Sequence, residues 1–390
     1  MHILIIPSWY PTYPGDIGGS FFREQSLALH KHGCKVGVIY PQLRSLRQWK
    51  SIWNGKYGIE EQIDEGMPTF RSHGMQWFPR IPRLGRVRWI KHGLNLFDKY
   101  TKVHGKPNAI HVHSILNAGI LAQEIKKRHR IPFVITEHSS AYARGLVNSQ
   151  DLKVAKEIMT AAERKLAVSN EFCKLLDKTL GGSNSWEYMP NIVNENFLDA
   201  EILEKNDDLF QFINVAITDK KKCQENILIA FGNKFCNQLK FKLIIGGDGP
   251  ELQKLKNLAT NLGISGQVEF TGRLSREQVR QKMSQSNAFV LSSHYETFGV
   301  VVIEALALGL PVIATCCGGP ESIVQKEDGI LVPVDDVESL ANAMHEVFEN
   351  ASRYDQAAIR ESCKRRFSEK AIAERLISIY QSISTEKNAD

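Results

Sequence analysis

With 390 residues, 43% of them hydrophobic and 24% charged, the chain has the composition of a folded globular protein long enough for two domains, which excludes a disordered or low-complexity chain. Its net charge of +6 is moderate, so the distribution of charge matters more than the sum. Seven cysteines without a Cys-x-x-Cys spacing suggest neither a disulfide framework nor a zinc site, and no run reaches the roughly 20 apolar residues that span a bilayer.

The first residues, Met1 to Pro7, have no basic leader and no small-residue cleavage site, so they read as a first strand rather than a signal peptide. Short apolar runs then alternate with helical patterns. Strands are expected at Ile3-Pro7, Val36-Tyr40, Ala109-His113, Phe133-Glu137 and Leu166-Ser169, with helices between them. Tyr188-Met189-Pro190-Asn191 breaks the pattern, which places a domain boundary near 190. The alternation restarts at Phe212-Ile217, Phe241-Gly246, Val268-Thr271, Ala288-Leu291 and Val312-Thr315, and a final helical pattern covers Lys364 to Ile383. Alternation of this kind predicts an α/β fold of two doubly wound domains, with ligands outside the carboxyl ends of the strands, in a cleft between the domains.

Several loops at such strand ends carry residues suited to chemistry. Gly18-Gly19 follows the first strand, and Gly246-Gly247-Asp248-Gly249 follows a later one; glycines there serve either a tight turn or the close approach of backbone to an anion. Thr136-Glu137-His138 ends a strand, where a histidine is either a structural hydrogen bonder or a substrate contact. His111 and His113 share a strand face, but two histidines without a third ligand do not make a metal site. Lys220-Lys221-Lys222 is either a solvated turn or an anion contact.

Two further segments stand out. Residues 77 to 106 hold Arg80, Arg83, Arg86, Arg88, Lys91, Lys99, Lys102 and Lys106 against Asp98 alone, with Trp77, Phe78, Trp89, Ile90, Leu94, Leu96 and Phe97 interleaved. Such a segment suits an anionic membrane surface, a nucleic acid, or a solvated helix with one side in the core. Glu296-Thr297-Phe298-Gly299 leads into the apolar run Val300 to Leu308, broken only by Glu304, which reads as a buried helix that stops at Gly309. The amides of its first turn suit a phosphate, and the buried Glu304 needs either an arginine or the hydroxyls of a ribose.

The last of these segments belongs to a longer pattern. His294 to Gly299, Glu304-Ala305-Leu306, Gly309 to Thr315 and Gly318-Gly319-Pro320-Glu321 together resemble the signature of glycosyltransferase family 4, the group 1 glycosyltransferases, which are retaining, nucleotide-sugar-dependent enzymes of the GT-B fold. The resemblance implies a first domain over 1–190 on the acceptor side and a second over 191–365 on the donor side. It also implies a terminal helix over 366–390 that crosses back to the first domain and ends in a polar tail. It implies that Glu296 and His138 contact the transferred sugar, Glu296 also stabilising positive character at the anomeric carbon. By the same resemblance Lys222, the amides of Phe298, Gly299 and Val300, and the loops of Gly247 and Gly249 hold the diphosphate, Gly18 and Gly19 meet the donor phosphates, and Glu304 binds the ribose.

The family arginine five residues before Lys222 is Ile217 here, and Arg273 is the nearest substitute cation. Backbone at Gly272-Arg273 reads the base in the family, so UDP- and GDP-sugars both remain open as donors. Neither metal nor cofactor is implied. The expected activity is sugar transfer to a hydroxyl of a glycan or lipid-linked acceptor, in polysaccharide, lipopolysaccharide or glycolipid synthesis in the cytoplasm or at the inner face of the plasma membrane, with residues 77–106 on the membrane and no nucleic acid. An epimerase or phosphorylase of the same fold and a catalytically silent nucleotide- or glycan-binding protein are the alternatives.

Overall fold

The computed structural model describes residues 1–12, 16, 18–46, 53, 55–77, 81–183, 185–203 and 208–386. Phe78 and Arg80 of the basic segment and the end of the polar tail lie outside them. The chain forms two compact units. The first comprises Met1–Val168, Cys173–Met189 and Ile372–Asp390, and the second comprises Ser169–Phe172 and Pro190–Ala371.

In the first unit the elements run β1 (His2–Pro7), α1 (Ser20–Lys31), β2 (Lys35–Ser45), β3 (Gly58–Asp64), β4 (Met67–Gln76), α2 (Pro82–His104), β5 (Ala109–His113), α3 (Ile120–His129), β6 (Phe133–Glu137), α4 (Ser149–Ala161), β7 (Arg164–Ala167), α5 (Asn170–Leu180) and β8 (Glu187–Tyr188). The strands form one sheet in the order β3-β4-β2-β1-β5-β6-β7-β8, parallel except for the antiparallel β3-β4 pair. Every residue of β1 is buried, as expected of a central parallel strand covered on both faces. The hairpin of β3 and β4 was not expected. Glu60, Glu61, Gln62 and Asp64 make β3 polar, and buried Arg71, Ser72 and His73 interrupt the apolar pattern of β4.

The second unit contains α6 (Glu195–Leu198), β9 (Phe210–Val215), α7 (Gln224–Phe235), β10 (Phe241–Gly246), α8 (Leu252–Asn261), β11 (Val268–Gly272), α9 (Arg276–Ser284), β12 (Ala288–Leu291), α10 (Val300–Ala307), β13 (Val312–Thr315), β14 (Gly329–Val332), α11 (Val337–Glu349) and α12 (Gln356–Phe367). Its parallel sheet has the order β11-β10-β9-β12-β13-β14. Strand order therefore reverses between β9 and β12, as it does between β1 and β5 in the first unit, and each reversal opens a crevice at the carboxyl ends. Some strand bounds differ from the reading: β2 runs to Ser45 rather than Tyr40, β7 is Arg164–Ala167 rather than Leu166-Ser169, and β9 starts at Phe210 and ends before Ile217.

The expected single pattern from Lys364 to Ile383 is two helices, α12 and α13 (Glu369–Glu386), broken at Ser368. Within α13, Ile372, Ala373, Leu376, Tyr380 and Ile383 are buried at helical spacing. The Tyr380 hydroxyl pairs with His111 Nδ1 of β5 at 2.6 Å, so this helix contributes to the core of the first unit. Among the described residues no helix is long and apolar enough to cross a membrane.

Close packing of α2 on β2 depends on Gly37. A Cβ there would lie 2.1 Å from the Tyr100 hydroxyl, and Tyr100 is fully buried with its hydroxyl 2.7 Å from His2 Nε2. Gly37→Ala is expected to destabilise the chain by about 1–3 kcal/mol through overpacking, read as a lower midpoint in denaturant unfolding.

Candidate functional site

In the second unit the residues of interest sit at the β9/β12 crevice. After β9, Lys220–Lys222 form one tight turn, capped by the Asp219 carboxylate accepting from the Lys221 amide at 3.1 Å. After β12, the Ser292 hydroxyl reaches the carbonyls of Lys222 and Cys223, each at 2.8 Å, and so ties the two loops together. The Lys222 ammonium donates to Glu296 Oε1 at 2.5 Å, and the Ser293 hydroxyl donates to the same oxygen at 2.8 Å. Both partners of this ion pair are about four-fifths buried, so its charges are only partly screened by water.

Helix α10 begins directly after this pair, with Gly299 in the left-handed region at φ 104° as its N-cap. Glu304 is buried inside α10 and accepts from Arg276 Nη2 at 2.9 Å. Sequence reasoning allowed an arginine for Glu304 but did not find Arg276, which sits in the first turn of α9 among polar neighbours that read as a solvated face. Arg273, expected as the substitute cation, is exposed, and so is Ile217.

Gly247 and Gly249 have a steric role within the protein. A Cβ on Gly247 would come within 1.9 Å of the Ala216 carbonyl, and one on Gly249 within 2.5 Å of the Thr218 carbonyl, so the loops after β9 and β10 touch only because both are glycine.

The first unit gathers a histidine cluster at the ends of β5 and β6. His113 Nδ1 pairs with His138 Nε2 at 3.1 Å, while His111 bridges the Tyr380 hydroxyl and Thr136 Oγ1, the latter at 2.8 Å. Phe22, three residues past Gly19, stacks on His113 at 4.6 Å and meets His138 edge-on at 4.8 Å, with Phe21 at 5.2 Å from His138 and Trp9 at 5.1 Å from Phe22. The loop of Gly18 and Gly19 is therefore brought to His138 through aromatic contacts.

Burial pushes the pKa of His111 down to about 3, and it pushes His113 and His138 well below the ordinary range, with neighbouring histidines adding to the effect. These rings are neutral hydrogen bonders at physiological pH. His113 Nε2 and His138 Nδ1 are buried with no partner among the described residues.

Glu137, which sequence reasoning passed over, accepts the amides of Ile115, His138 and Ser139 at 2.8, 2.9 and 2.7 Å and so fixes the backbone on both sides of the cluster. Its pKa is raised because burial outweighs these bonds.

Helix α2 corrects the reading of the basic segment. Trp89, Leu96 and Phe97 are buried, so they serve the core and are not available to a membrane. Arg86 pairs with Asp151 at 2.7 Å. The apolar side chains that remain exposed include Trp77, Leu84, Val87 and Val103.

The two Rossmann-like units have the fold of the GT-B glycosyltransferases, with an ion-paired glutamate and lysine at a sheet crevice and a second glutamate in the following helix. The model described as Glycosyl transferases group 1 matches residues 196–366, and that described as Glycosyltransferase Family 4 matches residues 18–197. The chain belongs to this family of group 1 glycosyltransferases, whose work lies in polysaccharide or glycan biosynthesis.

Among relatives, the chain is 27% identical over 367 residues to TuaC of Bacillus subtilis (strain 168), named for teichuronic acid biosynthesis, covering 88% of each chain. It is also 27% identical to the N-acetyl-alpha-D-glucosaminyl L-malate synthase of Bacillus anthracis, over 85% of this chain and 89% of the other. Similar solved folds include the sucrose-phosphate synthase of Thermosynechococcus elongatus, with TM-score 0.75, 21% identity and coverage of 99% and 100%. Another is HepE of Anabaena in complex with UDP, with TM-score 0.72, 19% identity and coverage of 98% and 100%.

The neutral histidines set a pH dependence. Their folded pKa lies below the ordinary 6.5, so the unfolded chain takes up protons that the folded chain refuses, and stability is lost as pH falls through 6.5. Each of the three contributes a slope of up to about 1.4 kcal/mol per pH unit. His2 and His92, whose pKa values burial also lowers, add to this trend, while Glu137 and Glu321, with raised pKa, work in the opposite sense. Denaturant unfolding between pH 6.5 and pH 5 should show stability falling with pH, and His113→Asn should reduce the slope by up to about 1.4 kcal/mol per pH unit.

Proposed function

We propose that this glycosyltransferase moves a sugar, with retention of anomeric configuration and without a metal, from a UDP- or GDP-sugar to a hydroxyl of a glycan or lipid-linked acceptor. The observation that carries the reading is the Lys222–Glu296 ion pair at the mouth of the β9/β12 crevice, beside the first turn of α10. A diphosphate at the amides of Phe298, Gly299 and Val300 competes with Glu296 for the Lys222 ammonium. Glu296 is thereby released to hold sugar hydroxyls and to stabilise positive character at the anomeric carbon. The departing diphosphate takes the proton of the incoming hydroxyl on the same face, so the protein supplies position and charge rather than a separate base.

In this reading Glu304, held by Arg276, offers its remaining acceptor capacity to the ribose. The loops of Gly18, Gly19, Gly247 and Gly249 lie by the phosphates, and Arg273 offers backbone to the base and a cation in place of the missing arginine. The open Nδ1 of His138 takes a sugar hydroxyl as its partner; a neutral ring there bonds the sugar without attracting the phosphates. The setting is the cytoplasm or the inner face of the plasma membrane, in surface polysaccharide, lipopolysaccharide or glycolipid synthesis. Contact with anionic lipid rests on exposed Leu84 and Val87 beside the cations of α2. Nucleic acid is not a partner in this scheme.

A second reading, a silent nucleotide-binding protein, draws on Ile217, which is 56% exposed where the family has a cation. One set of measurements separates the two. UDP or GDP at a hundredfold above its dissociation constant should stabilise the chain by about 2.7 kcal/mol, seen as a thermal shift without added metal. Glu296→Gln should keep that shift while lowering kcat by about 10²–10³, as expected for the loss of a charge aimed at the transition state. Glu304→Gln should weaken the nucleotide about tenfold with less effect on turnover of bound donor. Ile217→Arg should strengthen nucleotide binding. A nucleotide shift with no sugar transfer in the parent chain would favour the silent protein.

A further inference from the structure

Three donors of different chemistry meet beside the basic turn. Cys223, buried at the start of α7, His294, after β12, and Asp335, after β14, bring their Sγ, ring nitrogen and carboxylate oxygen within 4.8 Å of one another. The three come from separate loops, which is why the spacing of cysteines and histidines along the chain gave no sign of them. Cys223 and Asp335 both hold positive φ, at 48° and 62°, a region that non-glycine residues seldom adopt. His294 Nε2 pairs with Asp335 Oδ1 at 2.7 Å, and Asn226 Nδ2 reaches the same oxygen at 3.4 Å, so the carboxylate is already oriented. The His294 amide donates to the Lys221 carbonyl at 2.9 Å, and Ser292 holds the carbonyl of Cys223 itself, so the loops that bring thiol and imidazole together are joined through their backbones.

We propose that Cys223, His294 and Asp335 form a binding site for a zinc-class divalent cation, with a fourth position open to water. Thiolate, imidazole and carboxylate in one set match the borderline-soft preference of Zn²⁺ and disfavour Mg²⁺ and Ca²⁺, which take oxygen ligands. Binding replaces the thiol proton, which leaves to solvent, and gives His294 and Asp335 a shared partner in place of each other. The cation cross-links the loops after β12 and β14 to the Lys220–Cys223 turn. It therefore acts on the stiffness and placement of that turn, and its presence does not depend on which donor the enzyme uses.

The test uses the full chain, reduced and treated with chelator, and titrated with Co²⁺ followed by Zn²⁺. A single Co²⁺ should bind with a thiolate-to-metal charge-transfer band, be displaced by Zn²⁺ and resist Mg²⁺, and Zn²⁺ should raise the melting temperature. Cys223→Ser should abolish the band. His294→Ala and Asp335→Asn, both at exposed side chains and so expected to fold, should weaken binding by at least about tenfold. Cys316→Ser, at an exposed cysteine outside the cluster, should change nothing. Absence of the band, an unchanged Co²⁺ affinity in both His294→Ala and Asp335→Asn, or loss of the band in Cys316→Ser would overturn the site and leave His294 and Asp335 as an ordinary surface ion pair.

Discussion

A parallel strand can be followed by another in the same sheet only after the chain has crossed back, and the crossing has one preferred hand. This constraint sends the carboxyl ends of the parallel strands in each sheet to a common edge. Where the strand order turns around, at β1/β5 and at β9/β12, loops leave in opposite directions and open a crevice. The residues singled out for chemistry stand at or just beyond the carboxyl ends of strands: His113 closes β5, His138 follows β6, Lys222 follows β9 and Glu296 follows β12. Their placement follows from the winding of the sheets before any side-chain interaction is considered.

Electrostatics then separates the two units. The first unit presents neutral imidazoles, kept so by burial and by one another, together with a carboxylate that accepts three backbone amides. In the second unit charges are paired at close range, Lys222 with Glu296 and Arg276 with Glu304, both at the edge of one apolar helix. A buried ion pair contributes little net stability once desolvation is counted, which makes these pairs poor candidates for mere scaffolding. They hold charge in fixed positions at modest net cost, ready to exchange one partner for another.

The sheets were legible in sequence where the strands are apolar on both faces. β1, β5, β6, β12 and β13 are short buried runs bounded by turn residues, β10 departs from this only at exposed Lys242, and nothing competes with that pattern. β3 and β4 were not legible because a hairpin at the sheet edge tolerates Glu60, Glu61 and Asp64, and because Arg71 and His73 are buried by contacts that periodicity does not register. β14 escaped because three of its four residues are only partly buried. The glutamate pair of α10 could be read from its contrast with an apolar helix. Arg276 could not, since an arginine in the polar first turn of α9 shows no contrast at all. Glu137 lay in plain sight beside His138, yet its function is to satisfy amides, and amides leave no mark in a sequence.

The first unit is discontinuous: it begins at Met1 but includes Ile372 onward, and Tyr380 meets a residue 269 positions earlier. During synthesis the eight strands of its sheet emerge first and the whole second unit follows before α13 can dock. Domains generally fold as units, in the order in which they are made. Here the unit begun first is completed last, and until then the His111 side of its core lacks the hydroxyl that closes it. The nascent chain thus carries an unfinished apolar surface through most of translation, a period in which the nearly contiguous second unit can already be complete.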